Sequence, residues 1–206
     1  MNKLLPGILA MATIVVASNI LVQFPIGQWL TWGAFTFPFA FLVSELVNRF
    51  YGAAAARRVV YFGLIVGLIC SVIGTQIVGE FGPLVTIRIA IGSAIAFLFG
   101  QMLDVAVFDR LRKSAWWRAP FLASALGSSV DTVLFFTISF STALVWIDPS
   151  NDVSWAALSV PLLGLGPEVP LWVSLGLADL FVKLAVDVIA LMPFRIAIAK
   201  YAARLA

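Results

Sequence analysis

Ionisable residues stranded inside apolar runs are where this chain could do chemistry. The stretch SLGLADLFVKLAVDVIALMPF (174–194) carries Asp179, Lys183 and Asp187 at intervals of four, which places them on one helix face. Asp179 precedes Lys183 at the i,i+4 spacing that favours an ion pair. Glu45, Arg88, Asp104 and Asp131 lie inside other apolar runs, so two cations face five acids. A charge in hydrocarbon costs about 2.5 to 3.5 kcal/mol on insertion scales, so each such group is expected to face a bundle interior and to mark function. Asp104 and Asp187 stand nearer the ends of their runs, and snorkelling to water is the expectation for them. Asp131 and Asp179 stand near mid-run and must be paired, protonated or solvated by a cavity. The Asp179 and Lys183 pair also has a purely structural reading, as a bridge that fixes its helix.

The stretch WGAFTFPFAFLVSELVNRFYG (32–52) holds a second constellation. Phe37, Phe41 and Glu45 follow at i,i+4, and Asn48 continues that face. Pro38 can kink the helix and free backbone carbonyls, which is tolerated where a cavity is lined. Aromatic planes beside a carboxylate and an amide suit a flat heteroaromatic ligand with N–H donors: the rings stack, and the carboxylate accepts two donors. A single Phe on a membrane helix more often faces lipid; the carboxylate ending the stripe favours the site reading. Asn19 with Gln23, and Thr75 with Gln76, suit interhelical hydrogen bonds. Small residues run in register at Gly63, Gly67, Ser71, Thr75 and Gly79, and again at Gly92, Ala96 and Gly100, as seams for close packing. Ser124, Ser128 and Asp131 share a face, but GSSVD is no G-x-S-x-G elbow.

The elements that must position these residues follow from composition. The 206 residues are 62% hydrophobic and only 11% charged, against roughly 25% charged in a soluble domain. Mean hydropathy is +1.07. Lipid is therefore the main solvent, and the partner expected along the whole chain is the bilayer. A hydrocarbon core needs about 20 apolar residues per helix, and six segments qualify: Leu4–Gln23, Leu30–Phe50, Val59–Gly79, Leu84–Phe108, Pro120–Trp146 and Leu171–Met192. Lys3 before an apolar stretch with Ala17 and Ser18 also suits a cleavable leader, but apolar character continues through ILVQF to a spanning length.

Charge tests that parse. With alternating spans, one side holds Lys3, Arg49, Arg57, Arg58, Arg110, Arg112, Lys113, Arg118, Arg195, Lys200 and Arg204, while the other holds no Lys or Arg. Basic loops mark the cytoplasm. The expected fold is thus an all-α polytopic membrane protein, a six-transmembrane-helix bundle with both termini cytoplasmic, in one domain over 1–206. Residues 153–166, too short to cross and broken by Pro161, form an outer cap, a re-entrant turn or an interfacial helix between helices 5 and 6. Trp116 and Trp117 suit an inner interface belt.

The chain has no histidine, which removes the commonest general base and metal ligand. Cys70 is single and packs as a small hydrophobe. No G-x-x-x-x-G-K-[ST] loop is present. The expectation is no enzyme, no cofactor and no metal. Basic residues sit between apolar runs and not in a stripe, so no nucleic-acid partner is expected either.

The sequences ASNILVQFPI (17–26), TWGAFTFPFAFLVSELVNRFYG (31–52), RIAIGSAIAFLFGQMLDVAVFDRLR (88–112), WWRAPFLASALGSSVD (116–131), ADLFVKL (178–184) and PFR (193–195) together resemble the queuosine precursor transporters, a branch of the vitamin uptake transporter group of bacterial inner-membrane proteins. Residues 147–167 match that pattern poorly. The resemblance implies import of 7-cyano-7-deazaguanine or 7-aminomethyl-7-deazaguanine across the bacterial inner membrane, with six helices arranged like the substrate-binding subunits of energy-coupling-factor transporters. Glu45 stands where relatives often show Asp, and Asp187 lies outside the family pattern. Joined to that substrate, Glu45 or Asp131 would accept the paired N–H edge of a deazapurine base, and Phe37 or Phe41 would stack on it. Asn48, Gln76 or Arg88 would meet its carbonyl, Asn19 would join the site, and Asp179 with Lys183 would orient it or gate it. Two other classes stay open: a binding subunit that needs a separate coupling partner, and a small ion or proton channel. Whether a homodimer forms is also open.

Overall fold

A computed structural model of the chain describes residues 3–80 and 82–203; Arg204 lies outside the described residues. The fold is mostly helical, with seven α-helices among the described residues: α1 (Leu5–Leu21), α2 (Gly33–Thr36), α3 (Phe39–Tyr51), α4 (Ala53–Gln76), α5 (Ile87–Leu111), α6 (Arg118–Phe140) and α7 (Leu171–Ala203). By length and composition α4, α5 and α6 can each cross a membrane, and α1 is a shorter apolar helix. Every one of the six apolar segments carries helix, with three departures from the expected boundaries.

The second segment is interrupted. Phe37 still bonds Gly33 O at 3.0 Å, but Ala40 N–H turns back to Phe37 O at 2.9 Å and Phe41 N–H to Pro38 O at 3.0 Å. Pro38 has no N–H to give to the preceding turn, so the chain tightens there before α3 starts. The fifth segment ends as an α-helix at Phe140, not Trp146, and Thr142–Ile147 continues as 3-10 turns. The sixth runs past Met192 and through Pro193 to Ala203.

The expected cap is also corrected in form. Residues 153–166 contain no α-helix; Ser154–Ala157 and Leu162–Gly164 are 3-10 turns, and strand Ser159–Pro161 pairs antiparallel with Glu168–Pro170. The hairpin satisfies its own backbone groups, which an extended apolar segment needs if it lies outside a helix. Two shorter hairpins, Pro25–Ile26 with Leu30–Thr31 and Val78–Gly79 with Gly82–Pro83, turn the chain between helices.

Packing is closest between α5 and α6. A Cβ on Gly100 would stand 2.9 Å from Asp131 Cβ and 3.0 Å from Gly127 O, and one on Gly127 would stand 3.0 Å from Gly100 O. The two backbones therefore touch, as small residues in membrane helices allow. The other seam packs too, with Gly63 against Met11 and Phe97.

One apolar cluster joins α1, α3, α4 and α5 through Met11, Val15, Val47, Val59, Phe97 and Val105; another joins α5, α6 and α7 through Phe108, Ala123 and Phe194. Between them the interior is polar, whereas Ile69, Val72 and Ile73 on α4 and Val188, Ile189 and Met192 on α7 are exposed. Apolar outside and charged inside is the polarity of a protein dissolved in lipid.

The basic segments meet at one end. Arg49 donates to Arg112 O at 2.8 Å, the Arg195 guanidinium lies 4.9 Å from the Trp116 ring centroid, and Phe108 meets Phe194 at 5.9 Å. Gly52 makes the tight α3–α4 turn there at φ +89°, a conformation suited to glycine.

Candidate functional site: a buried polar centre among α3, α5, α6 and α7

Lys183 anchors the centre. Its Nζ lies 2.8 Å from Asp131 Oδ2, 2.6 Å from Asp179 Oδ2 and 3.0 Å from Thr132 Oγ1, and only 5% of the residue is exposed. Thr132 in turn donates to Asp179 Oδ2 at 2.9 Å. The i,i+4 spacing within α7 makes the first pair, and the α6–α7 crossing adds Asp131. The ammonium also sits 5.1 Å from the Phe37 ring centroid, a cation–π contact that ties the broken second segment to α7.

A second layer holds acids partnered by serine hydroxyls. Glu45 accepts from Ser124 Oγ at 2.6 Å, Asp104 from Ser44 Oγ at 2.9 Å and Asp187 from Ser128 Oγ at 3.1 Å. These three carboxyls are at most 3% exposed, and Asp104 lies close enough to Glu45 for the two to repel. The snorkelling expectation for Asp104 and Asp187 is thereby corrected: both face inward, because α3, α5, α6 and α7 turn these faces toward one another. Successive turns of α6 distribute the partners, with Ser124, Ser128, Asp131 and Thr132 serving Glu45, Asp187, Lys183 and Asp179.

An aromatic layer adjoins. Phe37 meets Phe41 and Phe97 edge-on, with centroids 6.0 and 6.1 Å apart. Beside it, a cleft of about 50 Å³ is lined by Val15, Asn19, Phe37, Gly63, Ser71 and Phe97 among others. That volume suits a few waters and not a bicyclic base.

Other expected site residues lie elsewhere. Asn48 is fully buried but spends its amide on Val105 O (3.0 Å) and Arg112 (2.9 Å), joining α3 to the end of α5. Arg88 reaches no acid of the centre; its guanidinium donates to Ile138 O at 2.5 Å and to Ser141 O, where a cation meets the free carbonyls at the end of α6. Gln76 is exposed at the end of α4 and donates to Thr75 Oγ1 at 3.0 Å. The corrections share one cause: interhelical position depends on where each helix crosses, which spacing along one helix does not contain. Asn19 bonds its own helix at Val15 O (2.9 Å) but does line the cleft.

The residues that sequence reasoning passes over are Ser44, Thr132 and Gln101. Ser44 adjoins Glu45 in sequence, and Gln101 stands one turn before Asp104. A polar residue beside a stranded acid, or one turn from it, is the available signal.

Comparison with known proteins agrees with this architecture. Residues 31–198 match the family model described as "Putative vitamin uptake transporter". The chain is 34% identical over 194 residues to the "Queuosine precursor transporter" of Escherichia coli (strain K12), covering 87% of this chain and 79% of that protein. It is 37% identical over 172 residues to the "Probable queuosine precursor transporter" of Haemophilus influenzae, covering 70% and 72%. A Bacillus subtilis protein of the latter description is 28% identical over 161 residues, covering 68% and 70%. No solved structure matches. A membrane protein with its charges turned inward, matched over most of its length by these relatives, is a transporter and not an enzyme: the chain belongs to the queuosine precursor transporter family, within the vitamin uptake transporters.

Proposed function

We propose that this chain imports queuosine precursors, the deazaguanine bases 7-cyano-7-deazaguanine and 7-aminomethyl-7-deazaguanine, across the bacterial inner membrane. In this reading α1, the broken α2–α3 pair, α4, α5, α6 and the first part of α7 are six spans. The basic end faces the cytoplasm with both termini, following the distribution of Lys and Arg. Residues 153–166, with the strand Glu168–Pro170 that pairs with Ser159–Pro161, cap the outer side.

The observation that carries the proposal is the Phe37–Phe41 ring pair beside the ammonium that Asp131 holds, with Glu45 buried on the same helix as Phe41, in a chain whose relatives bear that name. Deazaguanine presents adjacent N–H donors that a carboxylate accepts in a two-pronged way. Glu45 or Asp131 takes that edge, Phe37 or Phe41 stacks on the ring, and Asn19 lines the approach. Asp131 now holds Lys183. A base that competes for Asp131 would loosen Lys183 from α6, so the Asp131–Lys183–Asp179 triad serves as a gate biased by the substrate. The small cleft fits a closed state in which the aromatic layer must part for a base to enter.

The test is to feed labelled precursor to cells unable to synthesise it, with and without this chain, and to score queuosine in their tRNA. Label in tRNA only when the chain is present supports import; equal label refutes it. Uptake by the purified chain alone in vesicles establishes that no separate energising subunit is needed.

A further inference from the structure

Gln101 and Asp104 stand one turn apart on α5, both 0% exposed. Neither Gln101 Nε2 nor Gln101 Oε1 has a hydrogen-bond partner, and Asp104 Oδ1 has none although Oδ2 accepts from Ser44. Each buried unpaired polar atom carries a desolvation cost that nothing offsets, and native proteins hold few of them. A Leu or Met at 101 would fill similar volume without that cost. Three such atoms within one turn therefore call for an explanation beyond packing.

Their surroundings give its chemistry. Asp104 faces Glu45, and no Lys or Arg is within ion-pairing distance of either among the described residues, because Lys183 is taken by Asp131 and Asp179. Acceptors are in excess, and the free amide adds one donor group and one acceptor. Such a set complements a ring carbonyl beside a ring N–H and an exocyclic amine. The cleft ends one helical turn away: Phe97, which lines it with Phe37, precedes Gln101 by one turn of α5.

We propose that Gln101 and Asp104 form the subsite that reads the polar edge of the imported base. The Gln101 amide donates to the ring carbonyl and Asp104 Oδ1 accepts the second hydrogen of the exocyclic amine, on either side of the paired N–H edge that Glu45 or Asp131 takes. The proposal rests on the importer reading and names the residues that select the base.

The experiment measures initial uptake of a labelled deazaguanine precursor against concentration, in cells lacking their own synthesis and importer. Competition by 7-deazaguanine, 7-deazahypoxanthine, which lacks the amine, and 7-deazaadenine, which lacks the carbonyl, is measured alongside. For the wild-type chain 7-deazaguanine should compete best and 7-deazaadenine worst. Gln101→Leu and the closer-shaped Gln101→Met should raise the half-saturating concentration by about 10- to 100-fold at equal membrane abundance, and should weaken the preference for the carbonyl. Ser139→Ala, which removes a buried unpaired hydroxyl in the α5–α6 seam, should leave both unchanged. Wild-type half-saturation and competitor order in both Gln101 variants would overturn the subsite while leaving the importer intact. Equal competition by all three bases in the wild-type chain would overturn it even if neither variant reached the membrane. No uptake by the wild-type chain would overturn both readings.

Discussion

Removing the Lys183 ammonium is the sharpest test of the polar centre. Lys183→Met keeps most of the side-chain length but leaves Asp131 and Asp179, which share Nζ at 2.8 and 2.6 Å, without their cation. Thr132 Oγ1, 3.0 Å from Nζ, can serve Asp179 but not both acids. The contact with the Phe37 ring goes as well. Because Lys183 is 5% exposed and Asp131 4%, solvent cannot replace the lost partner. Breaking one side of a buried ion pair costs about 3 to 5 kcal/mol. At about 2 to 4 °C per kcal/mol for a chain of this size, the midpoint should fall by about 6 to 20 °C. The assay is thermal unfolding of the purified protein in detergent micelles, followed by near-UV circular dichroism of its tryptophans. Adding Asp131→Asn should recover part of the loss, since the second change removes the charge that the first stranded. A shift below about 2 °C for Lys183→Met, or costs that simply add in the double variant, would refute a tight, desolvated triad and the gate built on it.

Ser124→Ala removes the donor 2.6 Å from Glu45 and should cost about 1.5 to 3 kcal/mol, read as a lower midpoint in the same assay. Gly100→Val places a side chain against Asp131 Cβ and Gly127 O, both within 3.0 Å of the new Cβ, and should abolish accumulation of folded protein, scored by detergent gel filtration. Gly52→Ala forces a non-glycine residue to φ +89°, ψ 165° and should destabilise by about 1 to 3 kcal/mol while leaving the half-saturating concentration for uptake unchanged. Arg88→Met uncovers Ile138 O and Ser141 O at the end of α6; it should lower the midpoint without changing competition among bases, which separates a capping residue from a site residue.

How much of this was legible in one dimension differs by residue. Hydropathy located every helix, because a lipid solvent demands a long apolar run with its backbone bonds satisfied inside it. The Asp179–Lys183 pair was legible because both partners lie on one helix, at a spacing set by helix geometry alone. The Phe37, Phe41 and Glu45 stripe was legible for the same reason, and the inward burial of Glu45 agrees with the cost of placing a charge in oil. What only the tertiary structure decided is which helix supplies each partner. Asp131 joins Lys183, Asp104 turns inward to Ser44 and Glu45, Asn48 is consumed by Arg112, and Arg88 closes the end of α6. These outcomes depend on crossing positions such as the Gly100–Gly127 contact, where the absence of two side chains lets backbones meet. Helix-internal order follows from a fixed rise and twist per residue, so it can be read along the chain; rotation and depth of one helix against another come from the sum of many contacts, and no single stretch encodes them.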